Sequence, residues 1–187
     1  MPFTKLIIRS VTYVADRPIL GKNHLYKIPS AVAWITSGGM IEPLYNIFFN
    51  IFTPAPMESG PEPASWLVFE GPMSAPSNST TISVTTHASS FHATFPVQKQ
   101  TVGYAELEGV LKVVQASDVI LAEDPDTHES CMFAMSSDKT NIRQALQTIA
   151  VGKCAWIAAE IIARNKNVIN IKVNNMFVID GFKVEMI

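Results

Sequence analysis

Few side chains in this chain are of a type and spacing to do chemistry. The four histidines, His24, His87, His92 and His128, show no ligand spacing such as H-x₃-H with a second pair nearby. His87 and His92 are five apart, so they face opposite sides of a continuous strand and only an intervening turn brings them together. Cys131 and Cys154 form no C-x-x-C pair, and both are flanked by apolar residues, as buried structural thiols are. A cysteine hydrolase built on Cys131 with His87, His92 or His128 as base is the lowest-ranked reading, because no activating environment is visible. There is no G-x-S-x-G elbow, no Walker loop and no G-x-G-x-x-G, and Gly38-Gly39 alone reads as a helix stop. Glu123-Asp124-Pro125-Asp126 lacks the spacing and glycine of a calcium loop. The basic residues form no run with interleaved aromatics, so no direct sequence-specific contact with nucleic acid is expected. The chain reads as a non-enzymatic scaffold or binding module without catalytic residues, metal or cofactor.

The element expected to organise the chain runs from Glu42 to Phe52. Leu44, Ile47, Phe48, Ile51 and Phe52 fall at i, i+3, i+4, i+7 and i+8, one stripe of a helix that Pro43 opens and Thr53-Pro54 closes. Ile28 to Ile35 is expected as a shorter helix with Trp34 facing the core. A third helix starts near Ser136-Ser137-Asp138, its apolar positions Ile142, Ala145, Leu146, Ile149, Trp156 and Ala159 keeping helical spacing, with Gly152 as an interruption. Strands are expected over Lys5–Val14, Trp66–Phe69, Thr80–Thr86, Phe91–Phe95 and Thr101–Gln115. Two more, Val168–Val173 and Phe177–Val184, are joined by a turn at Asn174-Asn175. The fold class is α+β: a mostly antiparallel sheet covered by two helices in the N-terminal half and one later helix. It forms a single domain over 1–187 with exposed loops near 53–64, 71–79 and 117–130, and no internal repeat is visible.

A chain of 187 residues, 48% hydrophobic and 16% charged, buries a core without disulfides or metals. The opening Met1-Pro2-Phe3-Thr4 has no signal-peptide character, and the two cysteines imply a reduced, intracellular protein. Net charge is −2 but unevenly spread. Residues 1–60 carry five Lys/Arg against three Asp/Glu, residues 61–135 two against nine, and residues 136–187 seven against four. Basic ends and an acidic middle suit pairing between copies, with Lys5, Arg9, Lys22 or Lys27 of one chain against Asp118, Glu123, Asp124, Asp126 and Glu129 of the next.

Arg17-Pro18, Ser30-Ala31-Val32-Ala33-Trp34, Gly39-Met40 and Pro43-Leu44-Tyr45-Asn46-Ile47 together resemble the core of rhabdovirus matrix proteins, most visibly that of vesiculoviruses. The specific part covers about residues 11 to 52, as in a divergent member. The resemblance implies a non-enzymatic protein that self-associates, binds and condenses the viral nucleoprotein–RNA complex, and lies peripherally on the inner leaflet of the envelope for budding. It further implies a location in the virion, the host cytoplasm, the inner membrane face and the nucleus. Apolar insertion at Phe49, Phe52 and Met57 would supply the membrane contact. The alternative is a small-ligand or protein-binding α+β module that uses a pocket between the aromatic helix and the sheet.

Overall fold

Alternation, not helical spacing, governs the aromatic stretch. The computed structural model describes residues 5–21, 25–54, 64–86, 91–94, 102–127 and 131–179, and in it Ile41–Pro54 is a strand. Ile47, Phe49, Ile51 and Thr53 point inward and are buried, whereas Phe48, Asn50 and Phe52 point outward. Ile28–Ile35 is likewise extended, with Ile28, Ser30 and Val32 inward. The expected α+β class and its two N-terminal-half helices are therefore corrected. Ile41–Pro54 is rich in isoleucine and phenylalanine, which suit a pleated sheet, and its crowded apolar residues hold two patterns: Leu44, Ile47, Phe48, Ile51 and Phe52 keep period 3.6, while Ile47, Phe49 and Ile51 keep period 2.

The elements in order are β1 (Ile7–Val14), β2 (Ile19–Leu20), β3 (Leu25–Ile35), β4 (Ile41–Pro54), β5 (Ser65–Ser74), β6 (Thr81–Thr85) and β7 (Phe91–Thr94). There follow β8 (Tyr104–Ala116), β9 (Ile120–Glu123), β10 (Met132–Ser136), α1 (Thr140–Thr148), β11 (Cys154–Asn165) and β12 (Val168–Ile179). The pairings close the strands into two rings. In the first, β1 pairs with β3, β3 with β4, β4 with β6, β6 with β5, and β5 returns to β1; only β4–β6 is parallel. In the second, β8 pairs with β9, β9 with β10, β10 with β12, β12 with β11, and β11 returns to β8; only β10–β12 is parallel. Both are five-stranded barrels with the order 1-2-3-5-4, so one topology occurs twice in a chain whose sequence shows no repeat. The barrels share one sheet through an antiparallel seam in which Ile7 to Val11 of β1 pair with Glu108 to Tyr104 of β8.

The later helix is half of what its spacing suggests. α1 buries Ile142 and Leu146 and ends before Gly152, whose φ of 86° suits a residue without Cβ. Cys154–Asn165 then runs as β11, with Ala155, Ile157, Ala159 and Ile161 buried in strand alternation. β12 is continuous through Asn174-Asn175, where a register shift replaces the expected turn. Thr80–Thr86 and Phe91–Phe95, expected as a hairpin around Ala88-Ser89-Ser90, instead give β6 and β7, which each pair with β5. The expected loop at 71–79 begins as strand, and that at 117–130 contains β9.

Two local features shape the first barrel. Between Ala31 and Ala33 the β3–β4 register jumps, so that residues 44–47 bulge, with Tyr45 and Asn46 at φ of 60° and 54°. Pro43 pairs with Ala33 but has no N–H to donate, and the bulge follows it. Gly103 lies where β1, β3 and the start of β8 converge. A Cβ there would meet the Val11 oxygen at 2.6 Å and the Ala33 nitrogen and oxygen at 3.0 Å.

Candidate functional site

The outward face of β3 and β4 carries the first barrel's most suggestive surface. Register places Ala31, Phe48 and Thr81 in one row, Pro29, Asn50 and Ser83 in the next, and Lys27, Phe52 and Thr85 in a third. Phe48 and Phe52, four residues apart on one strand, stand about 13 Å from each other on this face. A groove of about 350 Å³ lies on it, lined by Tyr13, Pro29, Ile41, Pro43, Phe48, Asn50 and Thr81, with Ala15-Asp16 and Thr80 also in its lining. That volume lies in the range of small-molecule sites. Tyr13 is held edge-on to buried Trp66, with ring centroids 5.7 Å apart at 67°. Asn50 Nδ2 donates to Thr81 Oγ1 at 2.8 Å. Among the described residues Asp16 is the one charged residue of the lining, and those residues offer aromatic faces and neutral polar groups.

Phe49, one residue from Phe48, sits inside the barrel at 1% exposure, edge-on to Phe69 with centroids 5.5 Å apart. A membrane contact through Phe49 is therefore corrected: strand geometry turns it inward. Phe52 remains half-exposed on the outer face, and Met57 lies outside the described residues. No helix among the described residues is long and apolar enough to cross a membrane.

The charged residues expected to join copies are partly engaged within the chain. Arg9 Nε donates to Glu70 at 2.8 Å, and its Nη1 lies 3.8 Å from Glu108. Those carboxylates, Glu70 first, hold the guanidinium above its usual value. Glu123 lies 3.4 Å from Lys112 Nζ, and Asp124 Oδ1 accepts the Asp126 N–H at 3.0 Å. Lys5 and Asp118 are exposed, and Lys27 sits on the groove face. Lys22 and Glu129 lie outside the described residues. The structure thus separates Lys27 from Arg9 rather than gathering a single basic patch.

The second barrel is different outside. On β9 and β10 the outward positions are Leu121, Glu123, Met132, Ala134 and Ser136, with no aromatic among them. Its histidine and cysteine chemistry is equally sparse. Cys131 is fully buried, and burial pushes its thiol up, as it does that of half-buried Cys154. No cluster of three metal-ligating side chains occurs among the described residues. His24, His87 and His128 lie outside them, as does the side chain of His92.

Sequence reading found Phe52 and Lys27 but gave them other tasks, and it missed Tyr13, Phe48 as an outward residue, Asn50 and Thr81. The signal for Phe48 was present in the alternation Ile47-Phe48-Phe49-Asn50-Ile51.

No protein-family model matches the chain, and no curated protein does. Solved structures do match, and they overturn the expected matrix role with its viral nucleoprotein and membrane-leaflet partners, as well as the alternative of a small-ligand or protein-binding α+β module. A deletion mutant of the single-stranded DNA binding protein from Thermus aquaticus is 11% identical, with 99% of each chain covered and a TM-score of 0.56. Over 100% of this chain and 98% of the other, at 9% identity and a TM-score of 0.58, the fold is similar to that of the wild-type single-stranded DNA binding protein from Thermus aquaticus.

Proposed function

We propose that this chain binds single-stranded nucleic acid, without catalysis, on the β3–β4 face of its first barrel. The observation that carries the reading is the place of the groove. Five-stranded barrels of the oligonucleotide-binding (OB) topology receive their ligands on the face of strands two and three, between the loops that join strands one to two and four to five. Here β3 and β4 are those strands, Ala15-Asp16 begins the first loop, Thr80 ends the second, and residues of both loops line the groove together with β3 and β4. Phe48, Phe52 and Tyr13 present the ring faces on which bases stack, an interaction tolerant of sequence and worth roughly 1–3 kcal/mol per base. The similarity in fold to a single-stranded DNA binding protein supports the same assignment.

The partners expected from the basic and acidic segments are replaced accordingly. With net charge −2 and Lys27 the one cation on the described rows of this face, stacking carries more of the affinity than phosphate neutralisation. Fluorescence anisotropy with a labelled single-stranded thymidine oligonucleotide, competed by the same length of duplex, tests this directly. Saturable binding that duplex does not displace is expected. Absence of binding at low salt, or equal competition by duplex, would overturn it.

A further inference from the structure

Arg164 of β11 is 5% exposed, yet among the described residues no carboxylate pairs with it. Its Nη2 donates to the Ser79 carbonyl at 2.7 Å and the Pro76 carbonyl at 3.2 Å and lies 3.2 Å from Cys131 Sγ, while Nε and Nη1 have no hydrogen-bond partner among the described residues. Burial pulls the guanidinium below its ordinary value, with the Cys131 thiol opposing. Burying a guanidinium is costly, and among the described residues backbone carbonyls and a thiol, not a carboxylate, receive this one.

What the guanidinium holds is a loop of the other barrel. Residues 75–80 join β5 to β6 and end at the rim of the groove. Cys131 grips the same loop, its backbone N–H donating to the Ala75 carbonyl at 2.7 Å. From Ser79 the bonding continues inward. Ser79 Oγ accepts the Thr81 N–H at 3.1 Å and lies 3.1 Å from Thr81 Oγ1, which in turn accepts from Asn50 Nδ2 at 2.8 Å. Asn50 and Thr81 line the groove.

We infer that Arg164 is a positioning residue for the first barrel's groove, contributed by the second barrel: it fixes the 75–80 loop and, through Ser79 and Thr81, sets the orientation of Asn50 before ligand arrives. The inference rests on reading the groove as a single-strand site and gives the second barrel a part in it. Arg164 is buried and touches no ligand, so its effect on binding is indirect and free of any phosphate contact.

The test uses the full chain and a labelled thymidine oligonucleotide at several salt concentrations. Arg164→Met removes the guanidinium at similar volume, and Ser79→Ala cuts the chain of bonds while leaving the buried cation in place. Each should weaken binding roughly 3- to 30-fold, with an unchanged dependence on salt, and combining Arg164→Met with Asn50→Ala should weaken it by less than the product of the single effects. In the free protein, amide exchange at Thr81 should quicken in both variants, while exchange in β10 and β12 stays slow. Wild-type affinity in both variants, a multiplicative double variant, or exchange quickened equally throughout both barrels would overturn the inference. Should the wild-type chain bind no oligonucleotide, the groove reading fails by itself, and exchange at Thr81 then decides whether Arg164 positions the loop.

Discussion

Phe48 and Phe49 are adjacent in sequence and opposite in consequence. Phe48 is 36% exposed on the outer row, whereas Phe49 is 1% exposed in the barrel core against Phe69. Truncating Phe49 to alanine removes most of a buried ring and leaves a cavity, which costs about 3–5 kcal/mol. In a chain of this size that lowers the melting temperature by roughly 6–20 °C. Truncating Phe48 opens no cavity in the core and should change stability by about 1 kcal/mol or less, the scale of a cross-strand pair. If Phe48 stacks on a base, its loss weakens single-strand binding by about 1–3 kcal/mol, or roughly 5- to 150-fold in Kd. Anisotropy titration and thermal unfolding of Phe48→Ala and Phe49→Ala, each measured below its melting temperature, separate the two effects. The reasoning is refuted if Phe48→Ala binds within twofold of wild type, or if it loses as much stability as Phe49→Ala.

Further expectations follow from other residues. Lys27→Gln should lower the slope of log affinity against log salt by about 0.7, the value for one phosphate contact on a single strand, and an unchanged slope would place Lys27 away from the backbone path. Gly103→Ala should destabilise by about 1–3 kcal/mol or more in thermal unfolding, because the added carbon meets backbone atoms that cannot move aside. Burial raises the Cys131 and Cys154 thiols above their ordinary value of 9.0, so the folded state holds these protons more tightly than the unfolded state. Stability from this source is complete below about pH 9 and is lost as pH rises toward the folded values; unfolding free energies from roughly pH 7 to 10 that do not fall would contradict it.

Several strands were legible locally. Ile7–Val14, Ser65–Phe69, Thr81–Thr85 and most of Tyr104–Ala116 are rich in β-branched and aromatic residues, and sequence reading finds each of them. The barrels were not legible, because closure depends on pairings such as β1 with β5 and β8 with β11, which no window along the chain contains. Residues 44–52 misled because their apolar positions fit two periods at once, and Cys154–Asn165 misled because its alanines favour a helix when tertiary pairing is ignored. The groove inherits the first of these errors, since Phe48 and Asn50 become surface only when β4 is a strand. Arg164 was invisible for a different reason: nothing near it in sequence announces that its partners are carbonyls 85 and 88 residues away.

The seam between β1 and β8 is short, five residue pairs from Ile7 to Val11. Arg164 and Cys131 add bonds from the second barrel to the 75–80 loop, and both barrels belong to one molecule. The effective concentration of one half around the other is a property of the single chain, whatever the amount of protein in solution. Juxtaposition of the halves is thus immune to mass action. The β3–β4 groove and the arginine bonded to the loop beside it stay together even when the protein is scarce.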